Sequence, residues 1–216
     1  CYVEKRVVNP KHIEVQFIAD NYGHVVTLGE RECSVQRKYQ KVVEEAPSPV
    51  VTSIERVMLS DWTIRIVKEM QYRNAGTVEY LRSEDGNYYF MEVNARIQVE
   101  HPVTEMVTNI DIVKNQLKIA SGEELAIKQE NIELKGHAIQ ARIYAEDPVT
   151  FIPSPGIINT IKFPKIDEKT RIDHALQSGM VISPYYDPML AKIIVWGSSR
   201  HKAIEHLKQQ LREFVI

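Results

Sequence analysis

Alternating and helix-spaced apolar positions outline most of this chain. HIEVQFIAD alternates cleanly, with His12, Glu14 and Gln16 on one face and Ile13, Val15 and Phe17 on the other, which predicts a strand. Asn21-Tyr22-Gly23 turns it and HVVTLGE returns, which predicts a hairpin. RECSVQRKYQKVVEEAPSP follows as a basic segment closed by prolines. Thr52-Ser53-Ile54-Glu55 is a capping-box pattern and predicts a helix reaching about Met70. DIVKNQLKIASG predicts an amphipathic helix with Ile112, Val113, Gln116, Leu117 and Ala120 on one face and Gly122 as its stop. A boundary fits KQENIELKG. Beyond it GHAIQARIYAEDP, IINTIKF and LAKIIVWG are strand-like, punctuated by prolines at 148, 153, 155, 164, 184 and 188. SSRHKAIEHLKQQLREF predicts a closing helix capped by Ser199, with Ile204, Leu207, Leu211 and Phe214 as its apolar stripe.

The stretch FMEVNARIQVEHPVTE and the strand before it carry the candidate chemistry. TVEYL and YYFMEVN are rich in β-branched and aromatic residues and flank Glu84-Asp85-Gly86-Asn87. A turn centred on Asp85-Gly86 sets Glu79 opposite Glu92; a three-residue loop would shift the register by one and separate them. Alternation puts Glu92 and Asn94 on one face. Two facing carboxylates repel unless a cation lies between them, and with an amide oxygen beside them they suit a hard divalent ion such as Mg²⁺. An ordinary solvated strand face is the competing explanation. Extended alternation would carry Arg96, Gln98 and Glu100 onto the same side. Arginine recognises small oxyanions with a planar fork, and a neighbouring carboxylate can serve as general base.

Composition changes this picture little. The chain has 216 residues, 44% hydrophobic and 26% charged, with a net charge of −2, so neither a nucleic-acid partner nor a membrane is expected. No apolar run has membrane-spanning length. Cys1 and Cys33 form no framework, which fits a reducing compartment. CYVEKRVV and LREFVI both read as cut elements, so the chain is expected to be a fragment of a longer protein.

The strings EKRVVNPKHIEVQ, GERECSVQRKYQKVVEEAPSP, AGTVEY, MEVNARIQVEHPVTEM, GHAIQARIYAEDP and PYYDPMLAKI occur in this order along the chain. In this respect it resembles the biotin carboxylase component of biotin-dependent carboxylases, an ATP-grasp enzyme. The resemblance implies an α+β fold. Residues 1–130 would form the second half of an ATP-grasp domain, an antiparallel sheet with flanking helices. Residues 131–216 would form most of the biotin carboxylase C-terminal α+β domain.

Site roles follow from the same resemblance. Glu4, Lys5 and Val7 match the segment that meets adenine, and His12 and Gln36 match nucleotide contacts. Spacing alone would leave His12 facing water. Glu79, Glu92 and Asn94 match the ligands of Mg²⁺ or Mn²⁺. Arg96, Lys41, Gln98, the backbone at Val99, and Glu100 match the bicarbonate pocket, with Glu100 as general base. Arg142 matches the arginine that stabilises the enolate of biotin; without the resemblance it reads as a strand arginine in a salt bridge. Tyr39 stands where the family often has His, and Ala95 where Thr is common.

The implied activity is ATP-dependent carboxylation of biotin, on its carrier protein, with bicarbonate. The implied partners are a biotin carboxyl carrier protein or domain, a carboxyltransferase and a second copy of the chain. The implied compartment is the cytoplasm, or the mitochondrial matrix in a eukaryote. The acyl acceptor, such as an acyl-CoA or pyruvate, is chosen elsewhere. The alternatives are another ATP-grasp carboxylate–amine ligase and a non-catalytic nucleotide- or metal-binding module. The ligase would share the metal ligands, but would need neither the run from Arg96 to His101 nor Arg142.

Overall fold

The computed structural model describes residues 1 and 3–216. They divide into two compact units, Cys1–Lys135 and Gly136–Ile216.

The first unit is built on antiparallel strands β1 (Lys11–Ala19), β2 (Val25–Arg37), β3 (Gln40–Ala46), β4 (Asn74–Arg82) and β5 (Tyr88–Asn94), ordered β5-β4-β1-β2-β3. β1 is flanked by strands on both edges and covered on both faces. Ile13, Val15 and Phe17 pack with Leu59 and Val67 of helix α1 (Ser53–Glu69) and with Val78 and Tyr80. The opposite face begins with buried His12, Glu14 and Gln16. It continues with Ile18, which packs against Ile112 and Ile119 in a later helix. The water-facing position that spacing alone favours for His12 is therefore overturned: that face is an interior polar layer.

Helix α1 starts as its capping box requires. Thr52 Oγ1 accepts from the Glu55 amide at 3.2 Å, and the Glu55 carboxylate accepts from the Thr52 amide at 2.7 Å. The basic segment conceals the β2–β3 hairpin. Its two-residue turn, Lys38-Tyr39, holds φ of 49° and 64°, a primed geometry that usually advertises itself with Asn or Gly.

The β4–β5 turn differs from the expected one. Ser83 N donates to Asn87 O at 2.9 Å and Gly86 sits at φ 86°, so the loop is Glu84-Asp85-Gly86. This pairs Arg82 with Tyr88, Leu81 with Tyr89 and Tyr80 with Phe90. A bulge then leaves Met91 over, and Glu79 faces Glu92 after all. The loop shifts the register by one and the bulge shifts it back.

Two corrections concern helices. Beyond Asn94 the chain is not extended; it bends and enters α2 (His101–Thr108). Helix α3 (Ile112–Ala120) forms, but it buries Ile112 and Ile119 and leaves Val113 and Leu117 44% and 68% exposed. Of the expected face Ile112 is buried, while Val113, Leu117 and Ala120 are exposed and Ile119 takes their place in the core.

In the second unit β6 (His137–Tyr144), β8 (Thr170–His174) and β10 (Met189–Gly197) form antiparallel ladders in the order β6-β10-β8. A short pair, β7 (Gly156–Ile157) and β9 (Val181–Ile182), lies apart from them. Helix α4 (Arg200–Glu213) is capped by Ser199, packs Ala203 and Leu207 inward, and leaves Leu211 exposed. Phe214 closes it against Phe163. Among the described residues no helix is long and apolar enough to cross a membrane.

Candidate active site

Register places charge in a row across four strands. Arg31 on β2 lies opposite Glu14 on β1, Glu14 opposite Glu79 on β4, and Glu79 opposite Glu92 on β5. Facing side chains of this kind are about 5 Å apart at Cβ, and like charges so placed repel. Two cations compensate the row. Lys41, on β3, donates to Glu14 at 2.5 Å, Glu100 at 2.8 Å and Glu79 at 3.0 Å. Arg31 pairs with Glu14 from the other side.

Arg31 is completely buried. Its Nε donates to Glu14; Nη1 donates to Gln16 at 2.8 Å and Thr104 at 2.9 Å; Nη2 donates to Gln98 at 2.8 Å and Thr77 at 3.3 Å. All five guanidinium N–H groups thus have acceptors. Burial alone would raise the Glu14 carboxyl, but Arg31 and Lys41 outweigh it and hold it below the usual range. Glu79 behaves likewise. Burial opposes its charge, yet the His12 hydrogen bond and Lys41 lower it to about 2. Lys41 is driven upward by the carboxylates, chiefly Glu14, against the burial that opposes it. Burial and the nearby Glu14 push the Cys33 thiol well up, so it stays protonated and unreactive.

The tautomer of His12 follows from its partners. Gln36 Nε2 donates to the Cys33 carbonyl, which fixes the amide orientation, and also approaches His12 Nδ1 at 2.8 Å. Nδ1 is therefore the acceptor, and Nε2–H donates to Glu79 at 2.5 Å. Gln36 and His12 come together here as an ordered pair.

Beyond Asn94 a bend, rather than continued alternation, brings the next residues into the same site. Gln98 Nε2 donates to Glu79 at 2.7 Å. The Gln98 carbonyl accepts from His101 Nδ1 at 2.7 Å, which pins the turn. Glu100 is the N-cap residue of α2 but makes no capping bond; its carboxylate accepts from Lys41 instead. Val99 lies half-buried between Gln98 and Glu100.

Nearer the surface, Asn94 Nδ2 donates to Glu79 at 3.0 Å and to exposed Glu92 at 3.1 Å. The exposed Arg96 donates to Asn94 Oδ1 at 3.2 Å. Glu4 and Lys5 are exposed and Val7 half-buried; Lys5 Nζ reaches Tyr89 Oη at 2.7 Å on β5. Tyr39 stands at the hairpin tip, 97% exposed. Arg142 lies in the second unit on β6, half-buried and opposite Lys192 of β10.

Glu79, Glu92 and Asn94 supply the donor types a hard divalent cation takes, two carboxylates and a side-chain amide. The Asn94 amide nitrogen lies against both carboxylates and its oxygen against Arg96, so the amide must turn over to present that oxygen to a cation. His12, Glu14 and Glu79 also place ligand atoms within 4.8 Å of one another. That inner position, however, already has the Lys41 ammonium bonded to Glu14 and Glu79. The residues that sequence reasoning missed are Glu14, Gln16 and Arg31. Their signal was present: a carboxylate and an amide alternating inside an otherwise apolar central strand need a buried counter-ion.

The family model described as the ATP-binding domain of the carbamoyl-phosphate synthase L chain matches residues 1–128, and that of the biotin carboxylase C-terminal domain matches residues 140–216. The chain belongs to the ATP-grasp biotin carboxylase family. It is 52% identical to the biotin carboxylase of Halalkalibacterium halodurans, across all of this chain and 47% of that relative. It is 46% identical to the mitochondrial methylcrotonoyl-CoA carboxylase subunit alpha of Mus musculus, across 99% of this chain and 30% of that relative. Among solved structures, it superposes on the biotin carboxylase domain dimer of Hydrogenobacter thermophilus 2-oxoglutarate carboxylase, in complex with MgADP, ADP and bicarbonate. The TM-score is 0.96 and the identity 47%, over 99% of this chain and 47% of that one. The chain thus spans about half the length of the biotin carboxylases it matches.

Proposed function

We propose that the protein containing this chain carboxylates biotin with bicarbonate at the expense of ATP, and that the first unit carries the nucleotide, metal and bicarbonate contacts. The observation that supports this best is the position of Glu79. It adjoins Glu92 and Asn94 on one side and Lys41 and Gln98 on the other, while Lys41 also holds Glu100. One carboxylate thereby links an oxygen-rich cation site to a small-anion site.

In this reading Glu79, Glu92 and Asn94 would hold Mg²⁺ or Mn²⁺, which when bound offsets charge on the nucleotide phosphates. Glu100 takes the proton of bicarbonate. Lys41 and Arg96 hold the resulting oxyanion, oriented by Gln98 and the Val99 backbone, for attack on the γ-phosphate. That attack breaks the bond to the β-phosphate and releases ADP. Carboxyphosphate then breaks to CO₂ and phosphate, the phosphate accepts the ureido proton of biotin, and the deprotonated ureido nitrogen bonds the carbon of CO₂. Arg142 is the residue assigned to the biotin enolate by family resemblance. Glu4, Lys5, Val7, His12 and Gln36 serve the nucleoside. A biotin carboxyl carrier and a carboxyltransferase are the partners, and the chain pairs with a second copy in the cytoplasm or mitochondrial matrix. The proposed tie to relatives is direct, since those named above include biotin carboxylases and a carboxylase subunit.

The test is an assay of the full-length protein with ATP, Mg²⁺, bicarbonate and free biotin. ATP cleavage that needs bicarbonate and rises with biotin supports carboxylation. Nucleotide binding without bicarbonate-dependent cleavage contradicts it.

A further inference from the structure

Arg31 makes no contact with Glu92, Asn94 or Arg96 among its hydrogen bonds, yet it is joined to the anion half of the site by two separate routes. In the first, Arg31 holds one oxygen of Glu14, and the other oxygen of Glu14 holds Lys41. In the second, Arg31 holds the side-chain oxygen Oε1 of Gln98, which turns the side-chain nitrogen Nε2 toward Glu79. An amide has one acceptor end and one donor end, so fixing the first fixes the second. A guanidinium supplies planar donors in a rigid fork, and a lysine could not reach all five acceptors at once.

Holding β1, β4 and α2 together does not by itself call for this arrangement. A buried ion pair must overcome the desolvation of both ions, and apolar side chains of similar volume often serve the fold as well or better. What the apolar alternative cannot do is orient Gln98 or keep Glu14 charged beneath Lys41.

We propose that Arg31 is the positioning residue of the bicarbonate site: it sets the rotamer of Gln98 and, through Glu14, the place of the Lys41 ammonium, without touching the anion. This rests on the carboxylation reading above. It predicts a split in kinetic constants: Glu79 is reached only at one remove, through Gln98 and Lys41, and the other proposed metal and nucleotide contacts, Glu92, Asn94, His12 and Gln36, are not among the hydrogen-bond partners of Arg31.

The experiment uses the full-length protein carrying Arg31→Lys. KM for bicarbonate should rise roughly tenfold or more while KM for ATP changes by less than about twofold. Binding of isotope-labelled bicarbonate, followed by NMR line broadening in the presence of MgADP, should weaken in parallel. If Arg31→Lys does not fold, the double variant Thr77→Val/Thr104→Val takes its place. It keeps the Glu14 pair and removes two of the five acceptors, and should shift the same constants in the same direction, by less. Equal changes in both KM values, no change in either, or failure of both variants to fold would overturn the proposal and leave Arg31 as a purely structural ion. If the unmodified protein itself shows no bicarbonate-dependent ATP cleavage, the carboxylation reading fails instead.

Discussion

The site has a floor and a lip, and they are built differently. On the floor Glu14, Arg31, Glu79, Gln98 and Glu100 are buried, and Lys41 is largely so, each bonded to others of the set. On the lip Glu92 and Arg96 are exposed, and they meet mainly through the amide of Asn94. A buried ion needs its partner at all times, because an uncompensated charge in the interior is strongly destabilising. An exposed ion is screened by water and contributes little to stability wherever it points. The floor therefore holds its shape before any ligand arrives, and the lip is the part whose contacts a ligand can complete. Stability and ligand response should separate along this line.

The strongest attempt to break that division is Glu14→Ala. It strips Arg31 of its carboxylate and Lys41 of its shortest bond, and should lower stability by about 3–5 kcal/mol, read from urea unfolding. A loss below about 1 kcal/mol would mean that the floor is not an interdependent unit. Acid should act on the same groups. Glu79 is held at about 2, below its unfolded value near 4.3, so its contribution is fully present above that unfolded value and disappears as pH falls toward about 2. The contribution is on the order of 3 kcal/mol, and Glu79→Gln should flatten the acid limb of a stability-against-pH curve; an unchanged limb would contradict the depressed carboxyl. On the lip, Arg96→Ala should leave stability within about 0.5 kcal/mol of the parent. It should nonetheless raise KM for bicarbonate roughly tenfold or more, as loss of a charge-assisted hydrogen bond does. A comparable fall in stability would move Arg96 from the lip to the floor.

The division also explains what the sequence disclosed. Glu92 and Asn94 of the lip share a hairpin with Glu79 of the floor, and the local pattern of that hairpin sets Glu79 opposite Glu92 with Asn94 two residues on. Even there two departures cancelled: the three-residue loop displaced the register and the Met91 bulge restored it. A bulge carries little sequence signal when the extra residue is an ordinary methionine. The floor depends on strands far apart in sequence. Glu14 meets Arg31 only because β1 pairs with β2, and Lys41 reaches Glu14 only through the β2–β3 hairpin, whose Lys-Tyr turn lacks the usual signature. Gln98 and Glu100 arrive by a bend that alternation mimicked. On α3 two adjacent apolar stripes, Ile112 with Ile119 and Val113 with Leu117, satisfy helical periodicity equally, and only packing against Ile18 and Ala75 selects the first. The capping box of α1 and the Ser199 cap of α4 were legible because they depend on neighbours within one turn.

Glu92→Gln tests the contrast most directly, because it removes one charge from the lip and nothing from the floor. Mn²⁺ affinity, titrated by electron paramagnetic resonance on the full-length protein with ADP present, should fall by roughly tenfold. The urea midpoint of the same protein should stay where it was. Unaltered Mn²⁺ affinity, or a midpoint that drops with it, would contradict the account of Glu92 as a metal ligand on the lip that the fold does not depend on.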